Sequence, residues 1–185
     1  MTARSAGESS LLLLDIVRCL VKQRIEYAVI GAMAAALHGA IRATVDADAV
    51  LSITLPQLGS LEKLLRKAGY QTQLRRGDAD DPIPAMLLVR DEHGNRVDLL
   101  AGLRGLDPQA FGRATIVSFA DEVLRMIGRE DFIAMKCFAG GPQDIADASL
   151  VLKARDKPLD LDLLRRVTRR FGRAAADNLE KLLSA

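Results

Sequence analysis

Asp46 and Asp48 lie one residue apart at the head of residues 47–54, which read as a strand. Side chains two apart on a strand leave the same face, so the two carboxylates project side by side. Like charges that close are costly without a neutralising cation, and hard divalent ions such as Mg²⁺ take carboxylate oxygens. A third carboxylate, Asp98, lies in a second short apolar strand, residues 96–100. If the two strands are neighbours, three carboxylates converge. That is enough to hold two Mg²⁺ ions, one on a triphosphate and one lowering the pKa of an attacking hydroxyl. Upstream, Gly31-Ala32 closes a strand and opens a helix, where backbone N–H groups and the positive helix end can receive phosphate oxygens. A glycine there permits close backbone approach.

The elements that must position these residues follow from periodicity and punctuation. A helix is expected from Ser9 or Ser10 as N-cap to about Gln23, with Leu12, Ile16, Cys19 and Leu20 at helical spacing. A strand follows at 27–30, then a small-residue helix at 32–37 ending near Gly39. Residues 56–68 form a helix with Thr54 near its start and Gly69 just past its end. Residues 86–90 and 96–100 form a hairpin across 91–95, and residues 115–119 and 123–127 a second one around Asp121-Glu122. From Glu130 the chain is helical, at 131–139, 142–153, 160–171 and 174–183. Strands dominate the middle and helices the end, the pattern of an α+β domain: a mixed sheet flanked by helices, with a helical C-terminal part. We expect a core at 1–128 and a helical region at 129–185 packed on it as one structural unit.

The whole chain narrows the functions available. Its 185 residues suffice for one domain with a real core. Hydrophobic residues are 49% and charged residues 27%, the balance of a soluble globular protein. A net charge of +2 gives no electrostatic case for wholesale nucleic-acid binding. With 4% aromatic residues and no Trp, there is no stacking platform for single strands. Cys19 and Cys137 sit in apolar helical patterns and read as buried free thiols. The apolar run Leu11–Leu14 is too short for a membrane span and lacks a secretory cleavage site, so the expected compartment is the cytoplasm.

The order of residues adds a resemblance. An apolar-Gly-small turn, a short spacer, Asp-x-Asp in a strand and a later lone Asp resemble the nucleotidyltransferase superfamily that includes DNA polymerase beta. With His38-Gly39, Arg42, Thr44 and Asp46 in order, and the stretch EDFIAMKCFAGGPQDIADASLVL from Glu130, the text is similar to the bacterial branch of AbiE abortive-infection toxins and minimal nucleotidyltransferases. The resemblance covers about Tyr27 to Leu152. It implies functional roles for a Lys on one helix and an Asp opening the next, here Lys136 and Asp144. Three positions depart from the family text: Ala32 for Gly or Ser, Ala47 for a larger aliphatic, and Gly140-Gly141-Pro142-Gln143 where a basic residue is usual.

Other residues have a plainer reading beside the functional one. Arg42 either clamps a triphosphate or pairs with a nearby acid, and Thr44 orders the loop. Lys136 either reaches a phosphate or snorkels from its apolar helix, and Asp144 is either accessory to the site or an early-turn acid favoured by the helix dipole. His38 reads as a helix-end carbonyl partner and His93 as a turn residue. Arg166, Arg169, Arg170 and Arg173 share one side at helical spacing, as a solvated face or a dock for an RNA or protein acceptor.

The expectation is a Mg²⁺-dependent nucleotidyltransferase that moves a nucleoside monophosphate from a triphosphate to an acceptor hydroxyl. The acceptor could be transfer RNA or another RNA, a partner protein, or a small molecule. Asp46, Asp48 and Asp98 serve as metal and catalytic residues, and Gly31, Ala32, Arg42, Thr44 and Lys136 bind the nucleotide. The alternative is a catalytically silent protein of the same fold, such as a toxin–antitoxin component. A phosphohydrolase is set aside because no histidine joins the acidic cluster.

Overall fold

The computed structural model describes residues 2–78, 80–154 and 158–185. Its strands are β1 (Tyr27–Val29), β2 (Asp46–Leu51), β3 (Gln71–Arg76), β4 (Ala85–Arg90), β5 (Arg96–Ala101), β6 (Thr115–Phe119) and β7 (Glu122–Met126). Its helices are α1 (Ser9–Lys22), α2 (Gly31–Leu37), α3 (Leu55–Lys67), α4 (Arg129–Ala139), α5 (Pro142–Lys153), α6 (Leu161–Arg169) and α7 (Arg173–Leu183). One mixed sheet runs in the order β3-β4-β5-β2-β1-β7-β6, so the expected α+β architecture is present.

The centre of that sheet carries the three aspartates. β2 pairs in parallel with β5 and antiparallel with β1. The period of two puts Ala47, Ala49, Val97 and Leu99 on one face, all buried, and leaves the aspartates on the other. α1 buries Leu12, Leu13, Leu14, Ile16 and Leu20, and packs against β2 and β5. Such side chains each contribute roughly 1.5–3 kcal/mol on burial. α3 starts where Thr54 donates its N–H to Gln57 Oε1 at 2.8 Å, a reciprocal cap, and it packs against β3 and β4.

Four details differ from the sequence reading. The N-cap of α1 is Glu8, and Ser9 is already helical because its hydroxyl bonds elsewhere. β2 stops at Leu51, since Thr54 is engaged in capping α3. β3 was not anticipated: Gln71–Arg76 is an edge strand whose side chains are exposed or half-buried, with Leu74 as its one apolar residue. Finally, Gly172 at φ +101° separates α6 from α7, so Arg173 leaves the face of Arg166 and Arg169. Arg165 pairs with Glu180 at 2.9 Å and Arg170 donates to the Gly105 carbonyl at 3.2 Å, which commits part of that arginine group internally.

The departure at Gly140-Gly141-Pro142-Gln143 has a backbone explanation. Gly140 ends α4 in the left-handed region at φ +67°, and Pro142 opens α5. This tight stop and restart folds α5 back along α4. α4 also packs against α6 and α7, with Phe138 stacked on Phe171 at 4.9 Å between centroids. Arg113 ties α4 to the loop before β6 through Asp131 at 2.7 Å and Asp107 at 3.1 Å. Both cysteines are free thiols; Cys137 is buried and Cys19 half-buried. Among the described residues no helix is long and apolar enough to cross a membrane.

Candidate active site

The parallel β2–β5 register sets Asp48 directly opposite Asp98 and Asp46 opposite Arg96. One carboxylate oxygen from each of Asp46, Asp48 and Asp98 lies within 4.8 Å of the others. Each aspartate is held by a different device. Thr44 donates its hydroxyl to Asp46 Oδ1 at 2.8 Å. Arg96 grips Asp98 with two parallel hydrogen bonds, Nε to Oδ1 at 2.8 Å and Nη2 to Oδ2. Asp48 packs against Gly31, where φ is +62° and a Cβ would overlap the carboxylate. The glycine therefore makes room for Asp48 itself.

The electrostatics mark the cluster as short of positive charge. Burial, and then the neighbouring Asp46 and Asp98, push the Asp48 carboxyl up to about 6. Arg96 and Lys136 act against that rise without cancelling it. A site that must hold three carboxylates in so small a volume favours the ionised set only when more cation arrives.

A second polar cluster lies on α4 and α5. Lys136 Nζ is 2.7 Å from Asp144 Oδ1 and 3.0 Å from Asp147 Oδ2. Asp147, almost fully buried, also pairs with Arg42 Nε at 3.3 Å and accepts from Gln143 Nε2 at 2.8 Å. Arg42 thus pairs with an acid, as one of its two readings had it, and Lys136 and Asp144 meet across the Gly-Gly-Pro turn. His38 Nε2 donates to the Ile127 carbonyl at 2.8 Å, and burial holds its ring pKa down, consistent with a structural role.

Comparison with solved structures decides the fold. The solution structure of the antibiotic-resistance factor ANT(2″)-Ia matches with a TM-score of 0.59 at 14% identity, over 94% of this chain and 95% of that one. An antigenic nucleotidyltransferase-like protein from Paracoccidioides brasiliensis matches with a TM-score of 0.57 at 14% identity, over 98% and 90%. The lincosamide antibiotic adenylyltransferase LnuA, lincomycin-bound, matches with a TM-score of 0.51 at 12% identity, over 82% and 99%. The chain has the nucleotidyltransferase fold. No protein-family model and no curated protein matches its sequence.

Within this nucleotidyltransferase fold, the structure gathers Gly31, Thr44, Asp46, Asp48 and Asp98 into one cluster, and Arg42, Lys136 and Asp144 into the adjacent one. Ala32 is buried in the first turn of α2. Three supporting residues escaped the sequence reading. Ser9 donates its hydroxyl to the carbonyl of Val45, just before Asp46, at 2.7 Å, and accepts the N–H of Arg96 at 3.1 Å. It therefore staples the entries of β2 and β5 together. Arg96 was visible two residues before Asp98, a spacing that shares a strand face. Asp147 repeats the Asp144 position three residues on, one helical turn away.

An apolar cavity of about 430 Å³ lies beside the aspartates. Gly31 forms part of its wall, and so does Leu100, which shares a strand face with Asp98. Lys136 and Asp144 are its charged lining residues.

Proposed function

We propose that this protein is a Mg²⁺-dependent nucleotidyltransferase that moves a nucleoside monophosphate from a triphosphate to an acceptor hydroxyl. The observation that carries this reading is the Asp48–Asp98 pairing across β2 and β5, with Asp46 on the same face. Three carboxylates within reach of one another, with Asp48 driven towards protonation by burial and then by its acidic neighbours, suit Mg²⁺. Asp46 and Asp48 would hold both ions and Asp98 would share the second. When bound, the metal supplies charge neutralisation on the triphosphate and acidifies the attacking hydroxyl.

The remaining roles belong to the chain's own groups. Backbone N–H groups at Gly31 and Ala32 receive phosphate oxygens, and Lys136 and Arg42 bring positive charge. The acceptor oxygen bonds to the α-phosphorus while the bond to the β-phosphate bridging oxygen breaks. That oxygen keeps the electron pair and leaves with pyrophosphate. The acceptor's proton passes to a carboxylate oxygen of Asp98, which Arg96 keeps aimed at the site. ANT(2″)-Ia in complex with adenylyl-2″-tobramycin and lincomycin-bound LnuA support AMP as the transferred group and a small molecule as acceptor. The text around His38–Asp46 and after Glu130 supports a place beside the AbiE-like branch.

One observation favours a second reading, a silent binding protein of the same fold. Lys136 and Arg42 already pair with Asp144 and Asp147, which offsets the charge a triphosphate would meet. Calorimetric titration with each of four nucleoside triphosphates, with and without Mg²⁺, separates the two. Magnesium-dependent binding is expected in the native chain and is lost in Asp46→Ala and Asp48→Ala. Transfer to a competent acceptor should drop about 10²–10³-fold or more in either variant. Full activity in either would sink the proposal, and binding without turnover against any acceptor would favour the silent protein.

A further inference from the structure

We propose that the cavity beside the aspartates holds the body of the acceptor, and that the acceptor is a small neutral alcohol with an apolar body. This rests on the transferase reading and adds the class of its second substrate. The cavity, at about 430 Å³, falls within the ~300–1,000 Å³ range of small-molecule sites. Its walls are Ile83, Leu100, Leu103, Phe132, Met135 and Phe138. Gly31, which touches Asp48, and Leu100, on the strand face of Asp98, place its inner end against the reacting groups.

The lining chemistry selects among occupants. A polycation needs unpaired carboxylates, and the cavity's one acid, Asp144, is bound to Lys136 at 2.7 Å. The two lining charges pair with each other, so the lining itself offers no free charge to an occupant of either sign. A nucleobase would set its ring nitrogens and exocyclic groups against leucine, methionine and phenylalanine, leaving them without hydrogen-bond partners, which is costly. An apolar body leaves no polar group unpaired on entry and gains in proportion to the surface it removes from water. Its hydroxyl, at the inner end, bonds to the α-phosphorus, pyrophosphate departs with the broken bond's electron pair, and the proton goes to Asp98.

The test uses the full chain with Mg²⁺ and a non-hydrolysable ATP analogue, and naphthylethanol and spermidine as probes. Calorimetry is expected to show naphthylethanol binding alongside the analogue, and no spermidine binding. Ala139→Trp, at an exposed lining position on α4, and Leu103→Asn should weaken naphthylethanol at least about tenfold. Both should leave analogue affinity within about twofold, and Ala139→Trp should also leave the melting temperature close to native. Spermidine binding without naphthylethanol binding overturns the proposal. So does competition between naphthylethanol and the analogue, which would assign the cavity to the base. Failure of the analogue to bind sinks the transferase reading itself, whereas analogue binding without naphthylethanol sinks only this inference.

Discussion

Asp48 is where geometry and charge pull hardest against each other. Its carboxyl titrates at about 6 in the folded protein against an ordinary 3.8, through burial and then through Asp46 and Asp98. The folded state therefore holds that proton more tightly than the unfolded state. The stability contributed by the group falls as pH rises from 3.8 through about 6, and the full cost is present above that. In metal-free protein, Asp48→Asn removes the cost. We expect a higher melting temperature at neutral pH, equivalent to roughly 1–3 kcal/mol, with the difference closing near the unfolded pKa. Thermal melts across pH check this, and a variant less stable than native at neutral pH would contradict it. Adding Mg²⁺ should raise the native melting temperature more than the variant's.

At the scale of elements, the site depends on how β2 and β5 enter the sheet. Ser9 links the Val45 carbonyl to the Arg96 N–H, one residue from Asp46 and two from Asp98. Ser9→Ala leaves the half-buried Arg96 amide without its partner. It is expected to destabilise by about 1–3 kcal/mol and to weaken Mg²⁺ binding, with denaturant unfolding and calorimetry as the measurements. Unchanged metal affinity would reduce Ser9 to a packing role. The β6–β7 hairpin turns on Ala120 and Asp121, both at positive φ, 48° and 67°. Tight hairpins favour Gly or Asn at such positions. Ala120→Gly should stabilise by about 1 kcal/mol, read from the denaturation midpoint. The same comparison shows which elements were legible. Strands carrying Asp46, Asp48 and Asp98 stand out because apolar residues alternate with acids. β3 does not, because an exposed edge strand of polar residues has no buried face to impose a pattern. Ser9 or Ser10 reads as an N-cap because a serine ahead of an apolar run is the usual cap signature.

At the scale of the whole molecule, we propose that residues 1–128 and 129–185 unfold together. Arg113 bridges to Asp131, Arg42 pairs with Asp147, and Arg170 donates to the Gly105 carbonyl. These contacts cross the junction near Gly128 by several routes. Scanning calorimetry is expected to give one transition with matching calorimetric and van't Hoff enthalpies. Two separated transitions would instead divide the sheet from the helices.

The paired acids, the glycine turn and the α+β order are legible along the chain, because they follow from residue type and local period. Asp-x-Asp on a strand shares a face whatever surrounds it. That β2 and β5 are neighbours, with Asp48 opposite Asp98, emerges only in three dimensions, since strand pairing at that separation depends on which apolar faces can be buried together. The same holds for Asp147, whose partners Arg42 and Lys136 come from distant segments. It holds too for the apolar cavity, whose walls come from loops, a strand and three helices that no local pattern joins.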